Sequence, residues 1–440
     1  MSKAILDVND KPTGGQLITL SFQHMFAMFG STILVPQLVG LSPAIALLTS
    51  GIATIIFLMI TRFQVPAYLG SSFAFIAPIL VASNGLNEST GKAIDPGNAM
   101  IGAVFVGLVY GVVSLIIWKS GYKWIMKLLP PIVVGPVIMV IGLGLAGVAV
   151  DMAMNITNVE TGLKEYSFLH FSAALVTLFT AIICTIFFKN IISTMPILIG
   201  LVVGYLYSIL IGIVDFTPVK EASLLALPDF LIPGVHYDFE VTSRILLIMV
   251  PIVIVTISEH IGHQLVLGKV VNRDYIKEPG LHRSLLGDGL GTFASALIGG
   301  PPKTTYGENI GVLAITRVYS VYVIMGAAVI AILLSFFGKG MALITTIPTA
   351  VLGGVSILLF GIIASSGLRM LVEANIDFGN SRNLVIASVI LVIGIGGAKF
   401  IVTEALSVEG MALAAIVGVV LNWILPGKKE AQASGNETIE

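Results

Sequence analysis

Apolar stretches of membrane-crossing length recur along the chain, separated by short polar breaks. A hydrocarbon core about 30 Å thick needs about 20 helical residues. Twelve segments approach or exceed that length: 17–39, 43–61, 97–118, 130–150, 168–188, 191–214, 244–268, 284–300, 318–337, 341–366, 383–399 and 408–425. Two more are shorter and interrupted, 68–82 (YLGSSFAFIAPILVA) and 303–317 (KTTYGENIGVLAITR). Counting both predicts fourteen crossings, so the two termini share a side. With the N-terminus in the cytoplasm, sixteen of the 23 Lys and Arg fall in inside loops or tails. The other seven, Lys92, Lys164, Lys220, Arg244, Lys303, Lys339 and Lys399, fall outside. That is the bias expected of cytoplasmic loops.

The two halves resemble each other. LPPIVVGPVIMVIGLG (129–144) aligns with IPTAVLGGVSILLFGI (347–362), matching Pro130 with Pro348, Gly135 with Gly353 and Val137 with Val355. The offset of 218 residues is about half the chain of 440. Seven spans per repeat is an odd number, so the second half inserts upside down, the architecture of inverted-repeat transporters. The two interrupted segments then fall third in each half. Paired broken helices point to a binding site near the bilayer midplane.

Composition narrows the class. The chain is 56% hydrophobic and 11% charged, against about 25% charged in soluble domains. The net charge of −1 leaves no basic footprint for nucleic acid. A single cysteine, Cys184, makes neither an internal disulfide nor a metal site. The polar start MSKAILDVNDKPTGGQ carries no removable signal peptide. No cofactor and no metal are expected. An enzyme needs an adjacent nucleophile and base, and neither Cys184 nor Asp288 has one in sequence.

Few ionisable residues lie deep in spans: His24, Glu259, His260, His263, Asp288 and Glu308. A charge at the bilayer centre costs about 2.5–3.5 kcal/mol on insertion scales and is functional by default. Glu259 and His263 are four apart and share a helix face; they form a candidate proton-binding pair. His260 points about 100° away and reads as packing or interfacial. Asp288, near the start of its span, reads equally as a cap. Arg317 and Arg369 read as interfacial charges. In the broken segments, Pro301, Pro302 and Gly307 interrupt helix, while Thr304, Thr305 and Tyr306 favour extended backbone. Two extended stretches meeting head to head, each followed by a helix N-terminus, offer free N–H groups to a solute carbonyl.

These motifs together resemble the nucleobase–ascorbate transporter family over nearly the whole chain. ENIGVLAITR (308–317) is similar to its signature, an acid, Gln or Pro followed by N-x-G and later Thr, here Glu308, Asn309 and Thr316. Gln23–His24 is similar to its Q-H motif; GSSFAF and ISEHIGH also resemble it. The Glu-type signature ending in Arg looks like the bacterial uracil permeases, whereas purine-transporting branches more often carry Gln at that position.

The resemblance implies an all-α polytopic membrane protein, with fourteen transmembrane segments as 7+7 inverted repeats and short extended stretches in the broken third and tenth. It implies a core domain (17–118 and 244–337, spans 1–4 and 8–11) and a gate domain (119–214 and 338–425, spans 5–7 and 12–14). Cytoplasmic tails (1–16 and 426–440) and an extracytoplasmic loop (215–243) complete the chain. It implies proton-coupled uracil import across the cell (inner or plasma) membrane, in a lipid bilayer and as a homodimer. The base would lie between Glu259 and Glu308, with backbone N–H groups of Phe73 and Gly307, His263 coupled to Glu259, and Tyr306 and Phe360 nearby. Gln23, His24, Asp288, Asn309 and Thr316 would support the site. Uracil permeases carry a tyrosine where this chain has Phe360, so a hydroxyl is missing. A purine permease of the same family is the nearest alternative. An anion exchanger on the related fold would need a cationic midplane site, and the deep charges read here are acidic.

Overall fold

The computed structural model describes residues 4–87, 91–157, 163–189, 191–403 and 406–427. The first half contains α1 (Gly14–Leu38), α2 (Pro43–Ile60), strand β1 (Leu69–Ser71) running through a 3-10 turn into α3 (Ile76–Ala82), and α4 (Pro96–Ser120). It continues with α5 (Lys123–Leu128), α6 (Pro131–Gly144), α7 (Ala146–Met154), the hairpin of β2 (Asn155–Thr157) and β3 (Lys164–Tyr166), α8 (Phe168–Ile186), α9 (Ile191–Thr194) and α10 (Pro196–Leu210). A short α11 (Thr217–Glu221) lies in the long connection. The second half contains α12 (Ser243–Met249), α13 (Ile252–Val271), α14 (Leu281–Leu297), β4 (Lys303–Thr305), α15 (Gly307–Thr316) and α16 (Val321–Ser335). Then come α17 (Gly338–Thr345), α18 (Thr349–Glu373), α19 (Ser381–Ile395), the hairpin of β5 (Lys399–Thr403) and β6 (Leu406–Glu409), and α20 (Gly410–Ile424).

Each of the fourteen expected segments contains a helix. Among the described residues, seven helical stretches are by length and composition long enough to cross a membrane. The architecture is all-α and polytopic, with two inverted repeats. Prolines set many helix starts: Pro43, Pro96, Pro131 and Pro196 each occupy the first turn, where the missing N–H has no partner to lose. Pro130 and Pro348 occupy equivalent N-cap positions on α6 and α18, and these two helices pack on each other. Their contact uses small residues reciprocally, as membrane helices do. A Cβ on Gly135 would sit 3.0 Å from the Gly367 carbonyl, and one on Gly367 would meet the Gly135 carbonyl.

One boundary differs. The expected span 341–366 begins at Thr349 instead, and α17 is a separate helix bent 85° from α16. Pro348 ends the preceding turn because its ring excludes a helical carbonyl one turn back. In the first half α5 stands at the same place before Pro130, so the crosspiece is part of the repeat.

Helices α2, α4, α14 and α16 pack together, and α6, α7, α8, α10, α18, α19 and α20 form a second set. Gly107 on α4 makes a close contact within this set: a Cβ there would lie 2.8 Å from the Gly289 carbonyl on α14. The N-terminal segment lies along the end of α15. Val321 N–H donates to the Val8 carbonyl (3.0 Å), and Arg273 pairs with Asp7 (3.0 Å). Arg369 is paired with Glu373 (2.8 Å), which also takes Lys269 from α13 (3.0 Å), rather than standing alone at an interface.

The tight α6–α18 contact gives a direct test. A Cβ on Gly142 would strike the Phe360 carbonyl, whereas Gly144 has nothing within 4 Å. Gly142→Ala is expected to destabilise the detergent-purified protein by about 1–3 kcal/mol through overpacking. Gly144→Ala should leave it unchanged or slightly more stable. Thermal unfolding of the two variants checks this.

Candidate functional site

The site is built on a pairing of backbone. β1 and β4 run antiparallel, with Leu69 opposite Thr305, Gly70 opposite Thr304 and Ser71 opposite Lys303. The pair is extended at its ends by Ser72 N–H to the Pro302 carbonyl (3.0 Å) and Tyr306 N–H to the Tyr68 carbonyl (3.0 Å). Extended backbone inside a membrane protein needs such a partner. Gly70 is required by a close approach, since a Cβ there would occupy the Tyr306 ring. That ring's hydroxyl donates to the Ser71 carbonyl (3.2 Å). Immediately after the pair, helix starts at Phe73 on one strand and at Gly307 on the other. First-turn N–H groups have no intrahelical acceptor and carry the positive end of the helix dipole.

Two carboxylates lie near these ends, one on α13 and one in the first turn of α15. Glu259, on α13, is 7% exposed, and both Glu308 and Asp288 lie within its electrostatic reach. Glu308 is the second residue of α15 and accepts a hydrogen bond from Ser31 Oγ on α1 (2.9 Å). His263, one turn beyond Glu259, approaches Thr305 Oγ1 (3.4 Å), and a Cβ on Gly307 would lie 3.0 Å from its Nε2. The Phe73 ring sits 6.4 Å from Tyr306 and 5.9 Å, edge-on, from Phe360 on α18. Gly307, Glu308 and His263 keep partial exposure while Phe73, Tyr306 and Phe360 are buried. Thus the structure brings together Glu259, Glu308, His263, Gly307, Phe73, Tyr306 and Phe360 from four parts of the chain.

The supporting residues divide. Asn309 donates to the Pro66 carbonyl (3.0 Å), bracing α15 against the start of the β1 segment, and His24 lies beside it from α1. Gln23 turns the other way and donates to Thr194 Oγ1 (3.3 Å). Thr316 bonds the Val312 carbonyl at the far end of α15 (2.8 Å). Gln23 and Thr316 line a separate cavity of about 670 Å³ with Gln16, Thr19 and Arg317. Another cavity, about 520 Å³, lies between Val81 and Arg244 on one side and Ile395 and Met411 on the other.

Three placements correct the sequence expectation. Asp288 is no cap: it lies two turns inside α14, fully buried, with Oδ2 2.8 Å from His260 Nδ1. His260 is not interfacial. It is fully buried, and its Nε2 also meets Ser284 Oγ (2.9 Å). Thr305 Oγ1 stands between His260 (3.5 Å) and His263 (3.4 Å), so a hydrogen-bonded line of side chains joins the site to α14. Lys303, expected in an outside loop, is 1% exposed within β4. Periodicity could not reveal the His260–Asp288 contact, because the two residues lie on different helices. The signal for Lys303 was its position one residue after a Pro-Pro break inside a hydrophobic stretch.

Comparison with known proteins bears on the family and the fold. The Xan_ur_permease profile, described as a permease family, matches residues 15–403. The chain is 64% identical over 431 residues to the uracil permease of Bacillus caldolyticus, covering 98% of this chain and 97% of that one. It is 58% identical to the uracil permease of Bacillus subtilis (strain 168), with 99% and 98% covered. Identity to the uracil permease of Escherichia coli (strain K12) is 43%, with 96% and 94% covered. Among solved structures, the transmembrane domain of the cyanobacterium bicarbonate transporter BicA superposes with a TM-score of 0.64 at 15% identity, covering 94% of this chain and 99% of that one. The murine Solute Carrier 26 family member A9 anion transporter gives 0.63 at 10% identity, covering 94% and 69%. These distant structures share the fold.

The Gly70–Tyr306 contact is testable without a substrate. Gly70→Ala is expected to destabilise the protein by about 1–3 kcal/mol or more, because the added methyl overpacks the ring. In a Tyr306→Ala background the same substitution should cost little. Thermal unfolding of the four proteins in this double-mutant cycle measures the coupling.

Proposed function

This chain belongs to the Xan_ur_permease family, and on that footing we propose that it imports uracil across the cell membrane by proton symport. It is a multi-pass membrane transporter and not an enzyme. The observation that carries the substrate reading is the gathering of Glu259 on α13, Glu308 in the first turn of α15 and the helix start at Phe73 in one buried neighbourhood. Uracil presents two N–H donors and two carbonyl acceptors on a small neutral ring. The carboxylates can accept from its N–H groups, and the first-turn N–H groups can donate to its carbonyls. The relatives' designation as uracil permeases supports the same ligand. A site built this way rejects analogues that leave its buried polar atoms unpaired, by about 10⁴-fold when the pairing is complete.

Phe73, Phe360 and Tyr306 supply the apolar walls, with His263 at the edge. Phe360 closes its side by ring contact alone. Since the substrate is neutral, accumulation against a gradient requires another ion. In this reading Glu259 takes a proton from outside and releases it inside, with His263 one turn away as its partner. Three carboxylates within one buried neighbourhood cannot all ionise without repulsion. Protonation of Glu259 on substrate binding would relieve that repulsion.

The two packed helix sets suggest the moving parts. The set holding α2, α4, α14 and α16 carries β1 and β4, and α18 of the second set contributes Phe360. We assign the first set, with α1, α3, α13 and α15, to the core and the second to the gate. On one side the Lys269–Glu373 pair ties α13 to α18. On the other, the cavity beside Arg244 lies between the same two sets. Alternating access then consists of the core shifting against the gate, with the paired side cytoplasmic. Both termini fall on that cytoplasmic side, and the chain assembles as a homodimer.

An exchanger of anions needs a cation facing the solute. Lys303, the one buried Lys or Arg among the described residues, spends its hydrogens on Ala46, Ser50 and Ser71.

Radiolabelled uracil uptake into proteoliposomes tests the assignment. Glu259→Gln should abolish pH-gradient-driven accumulation while retaining uracil counterflow; normal gradient-driven accumulation refutes the coupling role. Glu308→Gln should weaken uracil binding by about 10–100-fold, the cost of one charged hydrogen-bond acceptor. Excess xanthine should compete poorly; strong competition by xanthine favours a purine permease.

A further inference from the structure

Lys303 is buried at the centre of the fold, yet among the described residues no carboxylate pairs with it. Its Nζ donates to the Ala46 carbonyl (3.0 Å), Ser50 Oγ (2.9 Å) and Ser71 Oγ (3.3 Å). Ala46 and Ser50 are one turn apart on α2, and Ser71 is the Lys303 partner across the strand pair. An ammonium has three hydrogens, and here it meets three neutral oxygens. One carbonyl and two hydroxyls around a single point also form an all-oxygen donor set of the kind hard cations take.

The position gives this cluster a task. Ser71 is held from both ends: its carbonyl accepts from Tyr306 and its hydroxyl from Lys303. Two residues later the chain reaches Phe73, where the helix begins. Without the lysine, the Ser50 and Ser71 hydroxyls would lose its hydrogens and α2 its polar link to β4. We infer that Lys303 is a tethered cation filling an oxygen-lined monovalent-cation site, and that it positions β1 and the Phe73 turn for substrate. Removal of its side chain leaves a site for a primary ammonium or an alkali cation. The site lies outside the proposed uracil contacts, and its melting test uses no nucleobase, so it stands or falls separately from the uracil reading.

Lys303→Ala and Lys303→Met are purified and their melting temperatures followed against n-propylammonium, Na⁺, K⁺ and n-propanol. A ligand that binds only the folded protein raises its melting temperature in proportion to occupancy. Propylammonium or an alkali cation should raise that of Lys303→Ala and leave the parent protein unmoved. Lys303→Met, whose stem fills the space without donors, should not respond. The same cations should recover substrate affinity in Lys303→Ala, lowered by about tenfold, the equivalent of about one buried hydrogen-bond donor. Rescue by propanol as good as by propylammonium overturns the inference, as does a Lys303→Ala protein indifferent to every cation. Should Lys303→Ala not fold, Lys303→Gln, which keeps two donor hydrogens without the charge, replaces it. Unchanged affinity and melting temperature there overturn the cation; a tenfold loss of affinity supports it.

Discussion

Six residues of extended backbone, three from each half of the chain, pair in the interior of a helical membrane protein, and everything about the site follows from that pairing. A helix satisfies its own backbone; a broken helix does not, and lipid offers no substitute. The chain resolves this by joining one broken segment to the other, Leu69–Ser71 against Lys303–Thr305. Because the two segments belong to inverted repeats, the strands meet antiparallel and each leads into a helix start. The fold therefore brings two helix starts to one place, where first-turn N–H groups lack the acceptor a helix interior supplies. Tyr306 and Gly70 interlock across the strands, and Asn309 ties α15 back to Pro66.

The carboxylates are the complement of that arrangement. Glu308 is placed by α15 and held by Ser31, while Glu259 comes from α13 and sees Glu308 and Asp288 through little solvent. Bringing three acids into one buried region opposes folding, since each charge costs several kcal/mol of lost hydration before compensation. Part of the cost is offset by Ser31 and by the His260–Asp288 contact. A proton or a hydrogen-bonding solute would relieve the rest.

Much of this was legible in the residues, for reasons that differ from place to place. The spans were legible because hydropathy over about 20 residues is a strong signal. The broken segments were legible because Pro301, Pro302 and Gly307 cannot continue a helix and Thr304 and Thr305 favour strand. The crosspiece α17 was not, since GMALIT is as apolar as a span and only Pro348 marks its end. The i, i+4 spacing put Glu259 and His263 on one face of α13, but the side chain His263 meets is Thr305 from the second broken segment. The His260–Asp288 contact was not legible, because it forms between helices whose relative rotation no single-sequence pattern records. Lys303 was misplaced because a lysine beside a break reads as a loop charge; its oxygen partners come from Ala46, Ser50 and Ser71, distant in sequence. Gln23 and Thr316 belong to a matching motif but turn toward other neighbours.

The most direct test of the central claim is calorimetric binding of uracil, 1-methyluracil and 3-methyluracil to the purified protein and to its Glu259→Gln and Glu308→Gln variants. Each methyl group blocks one ring N–H. The account predicts that both methylated bases bind the parent protein far more weakly than uracil, and that each carboxamide substitution removes most of the penalty of one methyl group only. If either methylated base binds the parent protein as tightly as uracil, the two acids do not hold the ring by its N–H groups, and the account is contradicted.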